Sequence, residues 1–292
     1  LFFDEMSYDI GNPFNPDKGE FILSKGHAAP ILYSALFRAG CIKNNLMDLR
    51  KLNSHLEGHP LPRSMKWVKV ATGSLGQGLS AGVGFALAAK LQKRRFRTYV
   101  LLGDSEMAEG SVYEAMELAT HYKLNNLVAI IDVNRLGQTG ETMFGHNLHA
   151  YQEIVRGFGW NAIIIDGHDV NEIKKAFSKT KNSQKPTAII AKTFKGKGIS
   201  FLENREGWHG KALNVRELDT ALRELPSPEI PRIKIQKPKK INVKNPDKKR
   251  LSAKNEYKSG TEIAIRDAYG MALRNIAFAH SNVLAVDAEV SN

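Results

Sequence analysis

Four short apolar runs constrain this chain more than any other feature: Tyr99–Leu102, Leu127–Asp132, Ala162–Asp166 and Thr187–Lys192. Each is too short for a core helix and is dominated by Val, Ile, Leu and Ala without polar alternation, the pattern of strands buried on both faces. Segments of helical period separate them. In Ser111–Tyr122 the residues Val112, Met116, Ala119 and Tyr122 recur on one face, and Asn171–Lys179 supplies another helical connection. Strands joined by helical crossovers predict an α/β fold: a doubly wound, mostly parallel sheet with helices on both faces. Such sheets bind ligands beyond the carboxyl ends of their strands. Gly103-Asp104 and Val133-Asn134 fall at two such ends. No internal repeat is visible.

Composition narrows the class. The 292 residues are 42% hydrophobic and 25% charged, with 24 Gly and 11 Pro, which excludes a wholly disordered chain, a collagen and a disulfide-stapled miniprotein. The one cysteine, Cys41, cannot form an internal disulfide, so a reducing, cytoplasmic setting is expected. No apolar run approaches the roughly 18 residues of a membrane span. The chain begins Leu1-Phe2-Phe3-Asp4, with no Met and no visible leader, so a fragment is expected.

The net charge of +12 raises the question of polyanion binding. Arg232–Lys258 holds 11 Lys or Arg against only Asp247 and Glu256, so one stretch carries most of the excess. It also carries Pro238 and Pro246, follows Pro231, and has only Tyr257 as an aromatic. A nucleic-acid groove spreads its cations over a folded face with aromatics between them. The stretch therefore reads as a solvated linker, and no nucleic-acid or membrane partner is expected. Beyond it, Thr261–Ala279 predicts an amphipathic helix with Ile265, Ala268, Tyr269, Ala272, Leu273 and Ile276 as its apolar stripe, and Asn282–Asp287 a strand. The expected organisation is residues 1–226 as the main domain, 227–260 as linker, and 261–292 as the beginning of a second domain.

Three sets of residues could carry chemistry. Asp104, in Gly103-Asp104-Ser105-Glu106, offers a carboxylate at a strand end, and Asn134 follows 30 residues later with an amide oxygen. With the carbonyl of Leu136 they form an oxygen set suited to a hard divalent cation, although a turn and a strand-end Asn would look the same. The second set is Thr72-Gly73-Ser74-Leu75-Gly76-Gln77-Gly78-Leu79, which opens a small-residue helix through Ala86. Glycines there let backbone N–H groups approach an anion, while close helix packing explains Gly82 and Gly84 equally well. The third is His27, His59 and His209, each in a Gly-flanked turn, where proton transfer or hydroxyl recognition competes with a surface role. His55, His121, His146, His149, His168 and His280 carry no such signal. Lys195 and Lys197 could hold an anion or lie on a solvated loop.

Taken in order, these segments resemble the transketolase family, in particular its animal-type branch, over essentially the whole chain. The most specific are Phe21-Ile22-Leu23-Ser24-Lys25-Gly26-His27-Ala28-Ala29-Pro30, Ala71–Gly78, Asn134-Arg135-Leu136-Gly137-Gln138 and Lys192-Thr193-Phe194-Lys195-Gly196-Lys197-Gly198. The resemblance implies a thiamine diphosphate-binding fold, the cofactor thiamine diphosphate, and Mg2+ (or Ca2+ or Mn2+ in its place) held by Asp104, Asn134 and the Leu136 carbonyl. It further implies cofactor contacts from His27, Gly73, Ser74, Leu75, Ser105, Asn134, Gln138, Lys195 and His209. His27, His59 and His209 would be catalytic. The reaction would be transfer of a two-carbon ketol unit between sugar phosphates, within the pentose phosphate pathway, by a homodimer with its active site at the interface. The cofactor would supply the carbon–carbon chemistry, and the histidines would let hydroxyl protons leave and return.

The sequence departs from the family at three places. Ser105 replaces the second Gly of a Gly-Asp-Gly motif. A family segment Ser-Gly-His-Pro-Thr-Ser would precede Leu1. The glutamate that activates the cofactor's pyrimidine would follow Asn292, and neither Glu262 nor Glu289 matches it, so residues 1–292 alone are expected to be inactive. Another thiamine diphosphate enzyme, or a non-catalytic transketolase-like protein that binds a cofactor or partner, remains an alternative on this evidence from residues.

Overall fold

The computed structural model describes residues 1–226, 235–242, 257–258, 260–280 and 283–286. Five strands, β1 (Glu20–Leu23), β2 (Thr98–Gly103), β3 (Leu127–Val133), β4 (Asn161–Asp166) and β5 (Thr187–Lys192), form one sheet in the order β1-β2-β3-β5-β4. Every pairing is parallel, as continuous apolar strands require. Val100 lies opposite Ile22 and Ala129, and Ile131 opposite Leu102 and Ile190.

The helices are α1 (Ala29–Arg38), α2 (Gln77–Leu91), α3 (Gly110–His121), α4 (Leu148–Gly157), α5 (Val170–Lys181), α6 (Val215–Glu224) and α7 (Ile265–Ala279). Successive strand residues feed opposite layers. Val100, Leu102, Ala129, Ile131 and Ile190 pack with Leu79 and Val83 of α2, Met116 of α3 and Val155 of α4. Tyr99, Val128, Ile189 and Ala191 pack instead with Ala176 and Phe177 of α5 and with Met6 and Tyr8. A third cluster joins Leu23 to Leu32, Tyr33 and Leu36 of α1. The doubly wound α/β expectation is met.

Local chemistry sets the helix starts. Asp169 accepts from the N–H groups of Asn171 and Glu172 at the head of α5, and Asn214 and Glu217 form a reciprocal capping box on α6. Gly82 packs α2 onto β2: a Cβ there would lie 2.5 Å from Val100 Cγ2, whereas Gly84 faces open space. Close packing, which explained both glycines equally well from sequence, therefore holds for Gly82 and not for Gly84.

The chain divides into two compact units, Leu1–Ile241 and Asn242–Asn292. The first unit extends into the basic stretch, because Tyr8 N–H donates to the Gln236 carbonyl at 2.9 Å and Ile241 N–H to Asp17 Oδ2 at 3.0 Å. Most of Arg232–Lys258 lies outside the described residues. In the second unit, α7 starts at Ile265 rather than Thr261. No side chain caps it, and β-branched Thr261 and Ile263 favour its extended lead-in. The strand expected over Asn282–Asp287 is not formed at Val283–Val286; Asn282 and Asp287 lie outside the described residues. A strand exists only through pairing, and none of the described residues of this unit offers it a strand.

Candidate active site at the carboxyl ends of the strands

The turns that leave β1 and β2 meet the glycine loop ahead of α2, and those that leave β3 and β5 join them through Asp104 and Lys195. Their approach is close enough to depend on missing side chains. A Cβ on Gly26 would lie 2.7 Å from the Gly73 nitrogen, and a Cβ on Gly73 would lie 2.7 Å from His59 Cδ2. Gly73 also has φ of +133°, a backbone that side-chain-bearing residues rarely adopt. The loop thereby holds His27 and His59 on one side of the cleft. On the other, the His209 ring lies 4.7 Å from that of His27, centroid to centroid, and Lys195 Nζ lies 3.5 Å from His209 Nδ1. Lys195 Nζ also donates to the Leu136 carbonyl at 2.8 Å. Gln138 lines a small cavity with Lys195, Trp208 and His209. The fold thus gathers His27, His59, Gly73, Leu136, Gln138, Lys195 and His209 from six separate segments.

Ser74 is exposed and Leu75 half-buried on the same loop, and the Ser74 hydroxyl accepts from Gln77 Nε2 at 3.4 Å. Lys197 points elsewhere and pairs with Glu203 at 2.8 Å, so of the two Gly-flanked lysines only Lys195 enters the cleft. His146 and His168 hold the backbone after β5: His146 Nε2 lies 2.9 Å from the Thr193 carbonyl, and Phe194 N–H donates to His168 Nε2 at 2.9 Å.

Asp104 and Asn134 lie buried behind this cleft. Asp104 Oδ1 accepts from Ser105 N–H at 2.9 Å, and Oδ2 from Arg135 N–H at 2.7 Å. Ser105 is not among the residues with positive φ, so a serine meets no backbone obstacle in place of glycine. Asn134 Oδ1 accepts from Leu136 N–H at 3.1 Å, and Asn134 Nδ2 lies 3.5 Å from Asp132 Oδ2. Asp132 was not singled out in the sequence, yet it is central: it pairs with Lys25 at 2.5 Å and accepts from the Thr193 hydroxyl. A charge in a buried strand needs such partners, and the signal for it was an aspartate within an otherwise apolar run.

Glu106 was also missed. Its side chain is fully buried, and it accepts from Gly76 N–H at 2.8 Å, from Gly103 N–H at 3.1 Å and from the Ser24 hydroxyl.

The electrostatics favour neutral imidazoles and an anion. Partial burial, then Lys25, His209, Lys195 and His59, lower the His27 pKa to about 4. Burial followed by Lys195 and Lys25 lowers that of His209. Burial and Lys25 also lower that of Lys195, against the opposing pull of Asp104 and Asp132. Burial raises the Asp104 pKa, opposed by the N–H bonds from Ser105 and Arg135. For Asp132, burial works upward, but Lys25 and the bonds from Lys25, Thr193 and Asn134 hold it below the usual carboxylate value.

These residues fit a diphosphate and a hard cation. The Thr72 hydroxyl is buried at the head of the loop with no hydrogen-bond partner, a polar group that a ligand or water would satisfy. The Leu136 carbonyl already receives a cationic group, the Lys195 ammonium. Among the described residues no cluster of three His, Cys, Asp or Glu side chains could hold a metal, so a cation here would depend on the neutral oxygens of Asn134 and Leu136 beside Asp104.

A parallel sheet whose strand ends meet a glycine-opened helix, with buried oxygen atoms behind and histidines in front, defines an α/β domain with its candidate site at the carboxyl ends of the strands. The family described as "Transketolase, thiamine diphosphate binding domain" matches residues 1–259. Human transketolase is 46% identical over all of this chain and 47% of its own length, and bovine transketolase-like protein 2 is 43% identical over the same shares. The transketolase structure from Campylobacter jejuni superposes with a TM-score of 0.70 and 34% identity, covering 75% of this chain and 36% of that one. That of Pichia stipitis in complex with sedoheptulose 7-phosphate gives 0.66 and 29%, covering 75% and 34%. The chain belongs to the transketolase family. It spans about half the length of the curated relatives it matches. No helix among the described residues is long and apolar enough to cross a membrane.

Proposed function

We propose that the intact protein is a transketolase, and that this chain supplies the diphosphate-binding side of its active site. The convergence of His27, His59, His209 and Lys195 in front of Asp104, Asn134 and the Leu136 carbonyl supports this reading most strongly. In this reading residues 1–226 form the diphosphate-binding domain, 227–260 a linker and 261–292 the start of a pyrimidine-binding domain.

Asp104, Asn134 and the Leu136 carbonyl would hold Mg2+, or Ca2+ or Mn2+ in its place. Loading would require Lys195 to release the Leu136 carbonyl, which frees its ammonium for the diphosphate. Gly73, Ser74 and Leu75 would offer backbone groups to the cofactor, joined by Ser105 and Gln138. Thiamine diphosphate, when bound, supplies the capacity to break and form the carbon–carbon bond of a two-carbon ketol transfer. The protein's own part is positioning and proton handling. His27 and His209, kept neutral at working pH by partial burial and the nearby lysines, can accept a hydroxyl proton and return it. His59, braced against Gly73, holds its ring toward the same space.

The substrates proposed are sugar phosphates, a ketose donor and an aldose acceptor, placing the enzyme in the pentose phosphate pathway. We place it in the cytoplasm as a homodimer with the site at the subunit interface. A coupled assay with xylulose 5-phosphate and ribose 5-phosphate tests the reading on the intact protein. Turnover dependent on Mg2+ and thiamine diphosphate, reduced at least about 100-fold in His209→Ala, is expected. Cofactor binding without any turnover would instead identify a non-catalytic transketolase-like protein.

A further inference from the structure

We propose that Glu106 is a positioning residue of the diphosphate site, fixing the backbone of the glycine loop relative to Asp104. The proposal rests on the diphosphate-binding reading above.

The Glu106 carboxylate joins three segments remote in sequence. One oxygen accepts from Gly76 N–H at 2.8 Å and from the Ser24 hydroxyl, and the other accepts from Gly103 N–H at 3.1 Å. Gly76 closes the glycine loop and is the residue before α2, Ser24 directly follows β1, and Gly103 precedes Asp104. The loop and the aspartate are thus registered against each other through one side chain. A missing donor is costly to a fully buried carboxylate, so the three contacts favour one another. The loop has little freedom to find another arrangement. Gly76 has φ of +83°, and a Cβ there would lie 2.5 Å from the Ser111 hydroxyl. Glu106 reaches the loop from its buried side, whereas Ser74 on the same loop is exposed. Its charge is taken up by its three donors and by the amino end of α2, which leaves the outer face of the loop for an anion.

Glu106→Gln separates this role from plain support of the fold. The amide keeps size and shape but turns one acceptor into a donor, so either Gly76 N–H or Gly103 N–H faces another N–H. In the intact protein, calorimetry with thiamine diphosphate and Mg2+ should show affinity reduced about 10-fold, the loss of one hydrogen bond to a charged group. The KM for thiamine diphosphate should rise by a similar factor while kcat at saturating cofactor stays within twofold. Amide hydrogen exchange at Gly76 or Gly103 should accelerate in the ligand-free protein. A folded Glu106→Gln protein with affinity and KM unchanged would overturn the proposal. Should that variant fail to fold, Ser24→Ala removes one donor and leaves both amides in place. It should weaken binding about threefold, and unchanged affinity there would equally overturn the proposal. Absence of binding by the wild-type protein would contradict the diphosphate reading itself, and this proposal with it; wild-type binding with unchanged variants contradicts the proposal alone.

Discussion

Asp104 and Arg135 join the ends of two neighbouring strands: Asp104 Oδ2, just past β2, accepts from the Arg135 backbone N–H, just past β3, at 2.7 Å. Arg135 adopts φ of +63° to present that N–H, and its guanidinium reaches on to Asn204, with Nε 2.7 Å from Asn204 Oδ1 and Nη2 3.0 Å from its carbonyl. Asn204 N–H in turn donates to the Lys195 carbonyl at 2.8 Å. A single chain of contacts therefore runs from the buried carboxylate of the proposed cation site to the backbone of the lysine in the cleft.

Gly73→Ala should destabilise the protein by about 1–3 kcal/mol and weaken cofactor binding, because the new methyl meets both an unfavourable φ and the His59 ring. Urea unfolding measures the cost. Adding His59→Ala in the same background should recover part of it, since that removes the clash but not the backbone strain. Full recovery would mean that φ contributes nothing.

The histidines predict a direction of pH dependence. The folded pKa of His27 is about 4, below the ordinary 6.5. Between those values the unfolded chain binds a proton that the folded protein does not, so protonation favours unfolding. Stability present above pH 6.5 is therefore lost as the pH falls toward 4, and the lowered pKa of His209 adds with the same sign. His27→Gln should make the decline through this window shallower. Nuclear magnetic resonance titration of the His27 ring should show a midpoint near 4; a midpoint at 6.5 would contradict the environment described.

Lys25→Met should cost about 1–3 kcal/mol, because it leaves the half-buried Asp132 without its cation. Lys25→Met with Asp132→Asn should cost less than Lys25→Met alone, since no charge remains unpaired. Denaturant unfolding of the two variants decides this, and equal costs would show that the pair contributes little.

Much of the frame was legible because burial on both sides of a parallel sheet leaves uninterrupted apolar runs: β2, β3, β4 and β5 lie within a residue or two of the runs that predicted them. β1 was not read as a strand. Its four residues, Glu-Phe-Ile-Leu, are too few to show a period, and pairing with β2 is what makes them a strand. α6 carried a usable signal in Asn214 and Glu217, three residues apart, which form its capping box. In the site, glycines and histidines were visible because turns need particular residues. Lys25 and Asp132 were not, because each finds the other 107 residues away, nor was Glu106, whose partners Ser24 and Gly76 lie 82 and 30 residues away; only folding brings these near.

The account depends above all on Asp104 as the carboxylate that would hold the cation of the diphosphate site. Calorimetric titration of the intact Asp104→Ala protein with thiamine diphosphate in Mg2+ tests this directly. The expected result is loss of Mg2+-dependent binding, with a smaller loss in Asn134→Ala, which removes only an uncharged oxygen. Affinity in Asp104→Ala equal to that of the wild-type protein would contradict the assignment of this sheet end as the diphosphate site.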